Sequence, residues 1–93
     1  MSDRKLSSRS ARVVAAGEAL AGERWQSALA RASGVKQQLL AMIASGEREP
    51  TDDVYRKVAA GLKKEAVRLA RTSGRVHDMA DRMLSELGEL EED

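Results

Sequence analysis

Gln37 and Gln38 carry the most specific chemistry in this sequence. Each side-chain amide presents a donor beside an acceptor, the combination that matches adenine N6 and N7 in a major groove, with about 1 to 3 kcal/mol of discrimination per pair. Lys36 precedes them, and Ala41, Met42 and Ser45 follow at spacings that keep to one side of a helix. A cation, two amides and two apolar groups suited to thymine methyls can therefore share one face. Catalysis has no comparable set. Ser7, Ser8, Ser10 and Ser45 lack a histidine near in sequence, no glycine-rich phosphate loop occurs, and there is no cysteine. His77 stands beside Asp78 and Asp81, but adjacent helical residues point to different faces, so no metal-ligand set is expected. Neither enzymatic activity nor a cofactor is expected.

The charges favour a polyanionic partner. The formal net charge is only +1, yet Glu86, Glu89, Glu91, Glu92 and Asp93 crowd the last nine residues, and residues 1–84 hold 16 basic against 10 acidic side chains, or +6. A basic body with an acidic tail is the electrostatic pattern of a nucleic-acid binder. No apolar run approaches the roughly 18 residues of a membrane span, and no apolar segment follows the first charges, so a cytoplasmic protein without a membrane partner is expected.

These side chains must be positioned by helices. Alanine supplies 15 residues while Trp25 and Tyr55 are the only aromatics, a composition that suits close-packed helices over strands. Ser7 or Ser8 caps a first helix running to about Ala21, with Val13, Val14, Ala16 and Leu20 as its apolar stripe and Gly22 closing it. A second helix spans about 25–34 and a third about 36–44, joined by a tight turn at Gly34. Pro50 and the capping hydroxyl of Thr51 set the start of a fourth, with Asp52 and Asp53 favoured at its positive end. From Tyr55 a 4-3 spacing runs through Ala59, Leu62, Ala66, Leu69, Ser73, Val76, Ala80, Met83, Leu87 and Leu90. It keeps phase across Thr72-Ser73-Gly74, which leaves a continuous or kinked helix and a true turn both open.

Ala30, Gly34, Val35, Leu40 and Ile43, with Leu29, meet one geometrical demand together: a small residue at a steep helix crossing, a glycine in the turn, and anchors that bind both helices to a core. With Gln26, the Gln37-Gln38 pair and the Ser45-Gly46 stop, residues 26–50 resemble the helix-turn-helix of the lambdoid phage repressor and Cro family, including small bacterial and prophage regulators. Two positions depart from its pattern. Trp25 stands where the family usually has a capping serine or threonine, and Ser33 replaces an apolar residue. The resemblance implies an all-α, lambda-repressor-like head of four to five helices with a C-terminal helical extension. It also implies double-stranded DNA as partner, with helix 36–45 in the major groove. Base contacts fall to Gln37, Gln38, Ala41 and Met42. Phosphate contacts fall to Gln26, Lys36, Ser45 and Arg48, with Arg24 and Arg31 as further candidates.

The expected organisation is a flexible basic arm over residues 1–8, a helix-turn-helix domain over 9–64, and an extension with an acidic tail over 65–93. Arg4, Lys5, Arg9 and Arg12 are candidates for an arm that tracks phosphates. A single helix-turn-helix reads half an operator, so a homodimer is expected. Leu69, Val76, Met83 and Leu87 offer a dimer seam, although the same helix can instead fold back on the head. The function expected is a sequence-specific transcriptional regulator, most simply a repressor. An adaptor or antitoxin-like component that binds a protein through its C-terminal helix is the alternative.

Overall fold

A computed structural model describes residues 5–89. All secondary structure among them is helical: α1 (Ser8–Ala21), a single 3-10 turn (Gly22–Arg24), α2 (Trp25–Ser33), α3 (Gln37–Ser45) and α4 (Asp52–Leu87). The head holds three helices of its own rather than four to five, because the fourth is shared between head and extension as one 36-residue helix. No turn or break interrupts it at Thr72-Ser73-Gly74, where the backbone hydrogen bonds of the helix continue. Arg4, Leu90 and the acids Glu91, Glu92 and Asp93 lie outside the described residues.

Local signals account for the helix ends. Ser7 Oγ accepts from the Ser10 amide at 3.1 Å and starts α1, and Thr51 Oγ1 accepts from the Val54 amide at 3.1 Å and starts α4. Ser7 and Ser8 therefore belong to the head and not to an arm. Ser7 also donates to Glu49 Oε1 at 2.6 Å. Arg9 and Arg12, expected in the arm, sit on α1 and are tied to α4. Arg9 donates to Asp52 at 2.7 Å and lies 4.7 Å from the Tyr55 ring centroid, while Arg12 donates to Tyr55 Oη at 3.2 Å. The partners are 43 residues away in each hydrogen bond, so no local pattern announces them.

The core consists of Val13, Trp25, Leu29, Val35, Leu40, Ile43 and Val58, drawn from all four helices and the α2–α3 turn. Two glycines let the helices approach. A Cβ on Gly17 would lie 2.9 Å from Trp25 Cδ2, so the indole packs directly on the α1 backbone at this residue. A Cβ on Gly61 would lie 2.9 Å from the carbonyl group of Ala32 and from Ser33 Cα, so α4 meets the last turn of α2 backbone to backbone. That approach shifts the buried stripe of α4 to Val58 and Gly61. Tyr55 and Leu62 stand at its edge, and Ala59 and Ala66 of the expected seam are exposed.

Beyond residue 65 none of the described residues covers α4. Leu69, Val76, Met83 and Leu87 are 44, 57, 64 and 70 % exposed, so the helix does not fold back on the head. The described chain measures 56 × 30 × 21 Å. Its radius of gyration is 18.2 Å, against about 12 Å for a compact domain of this length.

Gly61→Ala is expected to destabilise the fold by about 1 to 3 kcal/mol, since backbone on both sides must move. Gly74→Ala, which meets open space, should stabilise it by about 0.5 to 1 kcal/mol. Chemical denaturation of both variants checks the opposite signs. The Arg9 hydrogen bond, followed by the Arg9 charge, holds the Asp52 carboxyl below its ordinary value. A carboxyl lowered in the folded state stabilises above its unfolded value and stops doing so as pH falls through the folded one. Asp52→Asn should therefore lower the melting temperature slightly at neutral pH, and thermal unfolding in acid should show the gap closing.

Candidate nucleic-acid interface

The α2–α3 turn is built from three residues in a row. Ser33 Oγ donates to the Leu29 carbonyl at 2.6 Å and accepts from the Val35 amide at 3.1 Å, bridging the end of α2 to the strand-like residues beyond. Gly34 takes the left-handed conformation at φ 78°, and its amide donates to the Ala30 carbonyl at 2.9 Å. Val35 is buried, which pins the far side of the turn. Lys36 is extended at ψ 136°, and α3 begins at Gln37. The far end of α3 closes on Gly46 at φ 87°, where the Glu47 amide donates to the Met42 carbonyl at 2.9 Å and the Gly46 amide to that of Ile43 at 3.2 Å.

Between these two ends α3 divides cleanly. Leu40 and Ile43 are fully buried and Leu39 packs at the core margin, which turns the opposite side to solvent. Gln37, Gln38 and Ser45 are exposed on it, with Ala41 and Met42 half-buried. Lys36 and Arg48 are exposed at the two ends, and Gln26 is half-buried in the first turn of α2. Ala30 is half-buried against the core. Ser45 Oγ donates to the Met42 carbonyl at 3.0 Å and lies 3.3 Å from Glu47 Oε1, so its hydroxyl faces a carboxylate.

Helix capping separates this unit from the rest of the head. Side-chain hydroxyls cap α1 and α4, whereas no side chain caps α2 or α3, where the Trp25 amide donates to the Gly22 carbonyl of the preceding 3-10 turn and the Leu39 amide to the Lys36 carbonyl at 3.0 Å. Arg24 is the N-cap of α2, and Trp25 is its first helical residue, with the indole only 6 % exposed. The position that the family usually gives to a capping hydroxyl is thus filled by core packing. Unsatisfied amides at a helix start are donors for an anion.

The α2–α4 crossing assembles a second feature that the sequence does not announce. Arg31, Lys64 and Arg68 border one groove with Glu65, over Ala28 and Ala32. Arg68 Nε and Nη2 both donate to Glu65, at 3.0 and 2.8 Å. That pairing holds the Glu65 carboxyl below its ordinary value and raises Arg68. Only Arg31 of these is legible as a phosphate candidate, because Lys64 and Arg68 come from a helix more than 30 residues on. Further along α4, ligand atoms of His77, Asp78 and Asp81 lie within 4.8 Å of one another, closer than neighbours on different helix faces were expected to come. Their arrangement is an exposed i,i+4 contact, His77 Nδ1 to Asp81 Oδ2 at 3.4 Å, with Asp78 alongside.

Residues 26–69 match the family model described as Helix-turn-helix, of the Cro/C1 type. This segment runs from the start of α2 through α3 into the middle of α4 and is similar to that family's helix-turn-helix, consistent with the resemblance read from residues 26–50. The family is one of DNA-binding regulators. No curated protein and no solved structure matches the chain. Among the described residues no helix is long and apolar enough to cross a membrane.

Ser33→Ala removes the acceptor of the buried Val35 amide and should cost about 1 kcal/mol of stability. Hydrogen exchange at Val35 checks the cause, since its protection should fall further than that of Leu40.

Proposed function

We propose that this protein is a sequence-specific regulator of transcription, a repressor in the simplest case, that inserts α3 into the major groove of double-stranded DNA and acts as a homodimer. The observation that carries this reading is the exposed Gln37-Gln38 pair at the uncapped start of α3, inside a matched helix-turn-helix. The two amides can each engage an adenine edge in bidentate fashion, with Ala41 and Met42 against thymine methyls beside them. Gln26 and the amides at the start of α2 hold a backbone phosphate, while Lys36 and Arg48 add charge. Ser45 stays out of this set, because the Glu47 carboxylate beside its hydroxyl repels a phosphate.

Phosphate contacts position the head and base contacts choose the sequence, so the two kinds of substitution should differ in effect. Gln37→Ala and Gln38→Ala are expected to relax preference at particular base pairs in a selection from a random duplex library, at about 1 to 3 kcal/mol per lost contact. Lys36→Ala should weaken binding to every sequence and lower the log–log salt slope by about 1. Unchanged preference in both glutamine variants would refute the assigned recognition face.

The exposed apolar face of α4 favours a second reading, an adaptor or antitoxin-like component that binds another protein there. Truncation after Thr72 separates the two. DNA binding that is lost together with self-association supports the regulator, and DNA binding that persists supports the adaptor.

A further inference from the structure

We infer that the exposed half of α4 pairs with the same segment of a second copy of this chain in an antiparallel arrangement, with Leu69 against the partner's Ala80. The inference rests on the homodimer in the reading above and adds its orientation and register.

Large and small side chains alternate along the uncovered face. Ala66, Ser73 and Ala80 are separated by Leu69, Val76 and Met83, and all six are exposed. In a parallel pair each residue would face its own copy, giving layers of two alanines or two serines between layers of two large side chains. Gaps would open at the first kind and crowding at the second. In an antiparallel pair with residue numbers summing to 149, Ala66 faces the partner's Met83, Leu69 the partner's Ala80, and Ser73 the partner's Val76. Each of these three pairings then combines one large and one small side chain and fills evenly, and only the end layer, Leu62 with the partner's Leu87, sets two large side chains together.

Charge selects the same orientation. Residues 62–75 hold five basic side chains and one acidic, whereas residues 76–89 hold four acidic and one basic. Parallel pairing sets basic half on basic half and acidic on acidic, and antiparallel pairing sets each half on its opposite. One local contact runs against this, since Glu86 approaches the partner's Glu65, but Glu65 is already paired with Arg68 on its own helix at 2.8 Å. The register also places the partner's Leu87 beside Leu62. Leu62 lines an open apolar groove between α1 and α4 with Val13, Ala16, Tyr55, Val58 and Ala59, so the end of the partner helix reaches the head.

The chain has no cysteine, so single introduced thiols report the orientation directly. In the inferred register Leu69 and the partner's Leu69 are 11 residues apart along the axis, about 16 Å, too far for a disulfide. Leu69→Cys and Ala80→Cys proteins oxidised separately should therefore stay uncrosslinked, while their mixture should give a disulfide-linked pair on a non-reducing gel. Light scattering of the unmodified full chain at about 100 micromolar should give twice the 10.1 kDa chain mass, and Val76→Glu should halve the measured mass while Trp25 fluorescence keeps its folded spectrum. Self-crosslinking of either single variant would establish another orientation and overturn the inference. A monomeric mass for the unmodified chain, or a dimer whose mixture does not crosslink, would overturn it as well. Both measurements are made without DNA, so a dimer that fails to crosslink rejects the geometry alone, a monomeric mass rejects the homodimer with it, and an empty library selection rejects the DNA-binding reading alone.

Discussion

The head depends on one close approach, that of Gly61 on α4 to the backbone of Ala32 and Ser33 at the end of α2. Without a side chain at this point the two helices touch along their backbones, and the C-terminal turn of α2 is held from behind. The same turn carries Ser33 and Gly34, whose hydrogen bonds to Leu29, Val35 and Ala30 set the direction in which α3 leaves. A constraint on the hidden side of the head thereby orients the exposed side of α3. Gly17 does the same for the other end of α2, where the indole of Trp25 lies on the α1 backbone. Small residues at two crossings thus position the helix-turn-helix without any aromatic cluster.

That economy has a consequence for the rest of the molecule. With seven buried hydrophobic residues among those described, the core covers the first part of α4 and no more. The remainder extends as a helix exposed nearly all round, even though isolated helices are marginal in water and gain most of their stability from packing. Leu69, Val76, Met83 and Leu87 of its exposed apolar residues keep the 4-3 spacing, while Val67, Met79 and Leu84 lie beside that line. The exposed seam on α4 and the solvent side of α3 are two surfaces on one chain that the head itself leaves uncovered.

Helix limits were largely legible in the residues because caps and turns are local events. In ending their helices Ser7, Thr51, Gly22, Gly34 and Gly46 bond atoms within five residues of themselves, and a pattern over that range can be read directly. The division of α3 into a buried and an exposed side was legible for the same reason, through the spacing of Leu39, Leu40 and Ile43. Ser33 was the exception. A serine bonded to the carbonyl four residues back and to the amide two residues on is a local signal too, but the family pattern made it look like a departure.

The sequence by itself determined the all-helical class, the turn that joins α2 to α3, and the set of side chains on the solvent side of α3, since each follows from interactions within a few residues or from helical periodicity. Tertiary structure alone decided which glycines matter, because the need for a missing Cβ at Gly17 and Gly61 exists only once another helix arrives. It also moved Arg9 and Arg12 from an expected arm to ties between α1 and α4, and gathered Arg31, Lys64 and Arg68 along one groove. Whether the apolar stripe of α4 would be covered was likewise a tertiary matter. Periodicity says which residues of a helix lie together, and only the size of the head determines how far along the helix its cover extends.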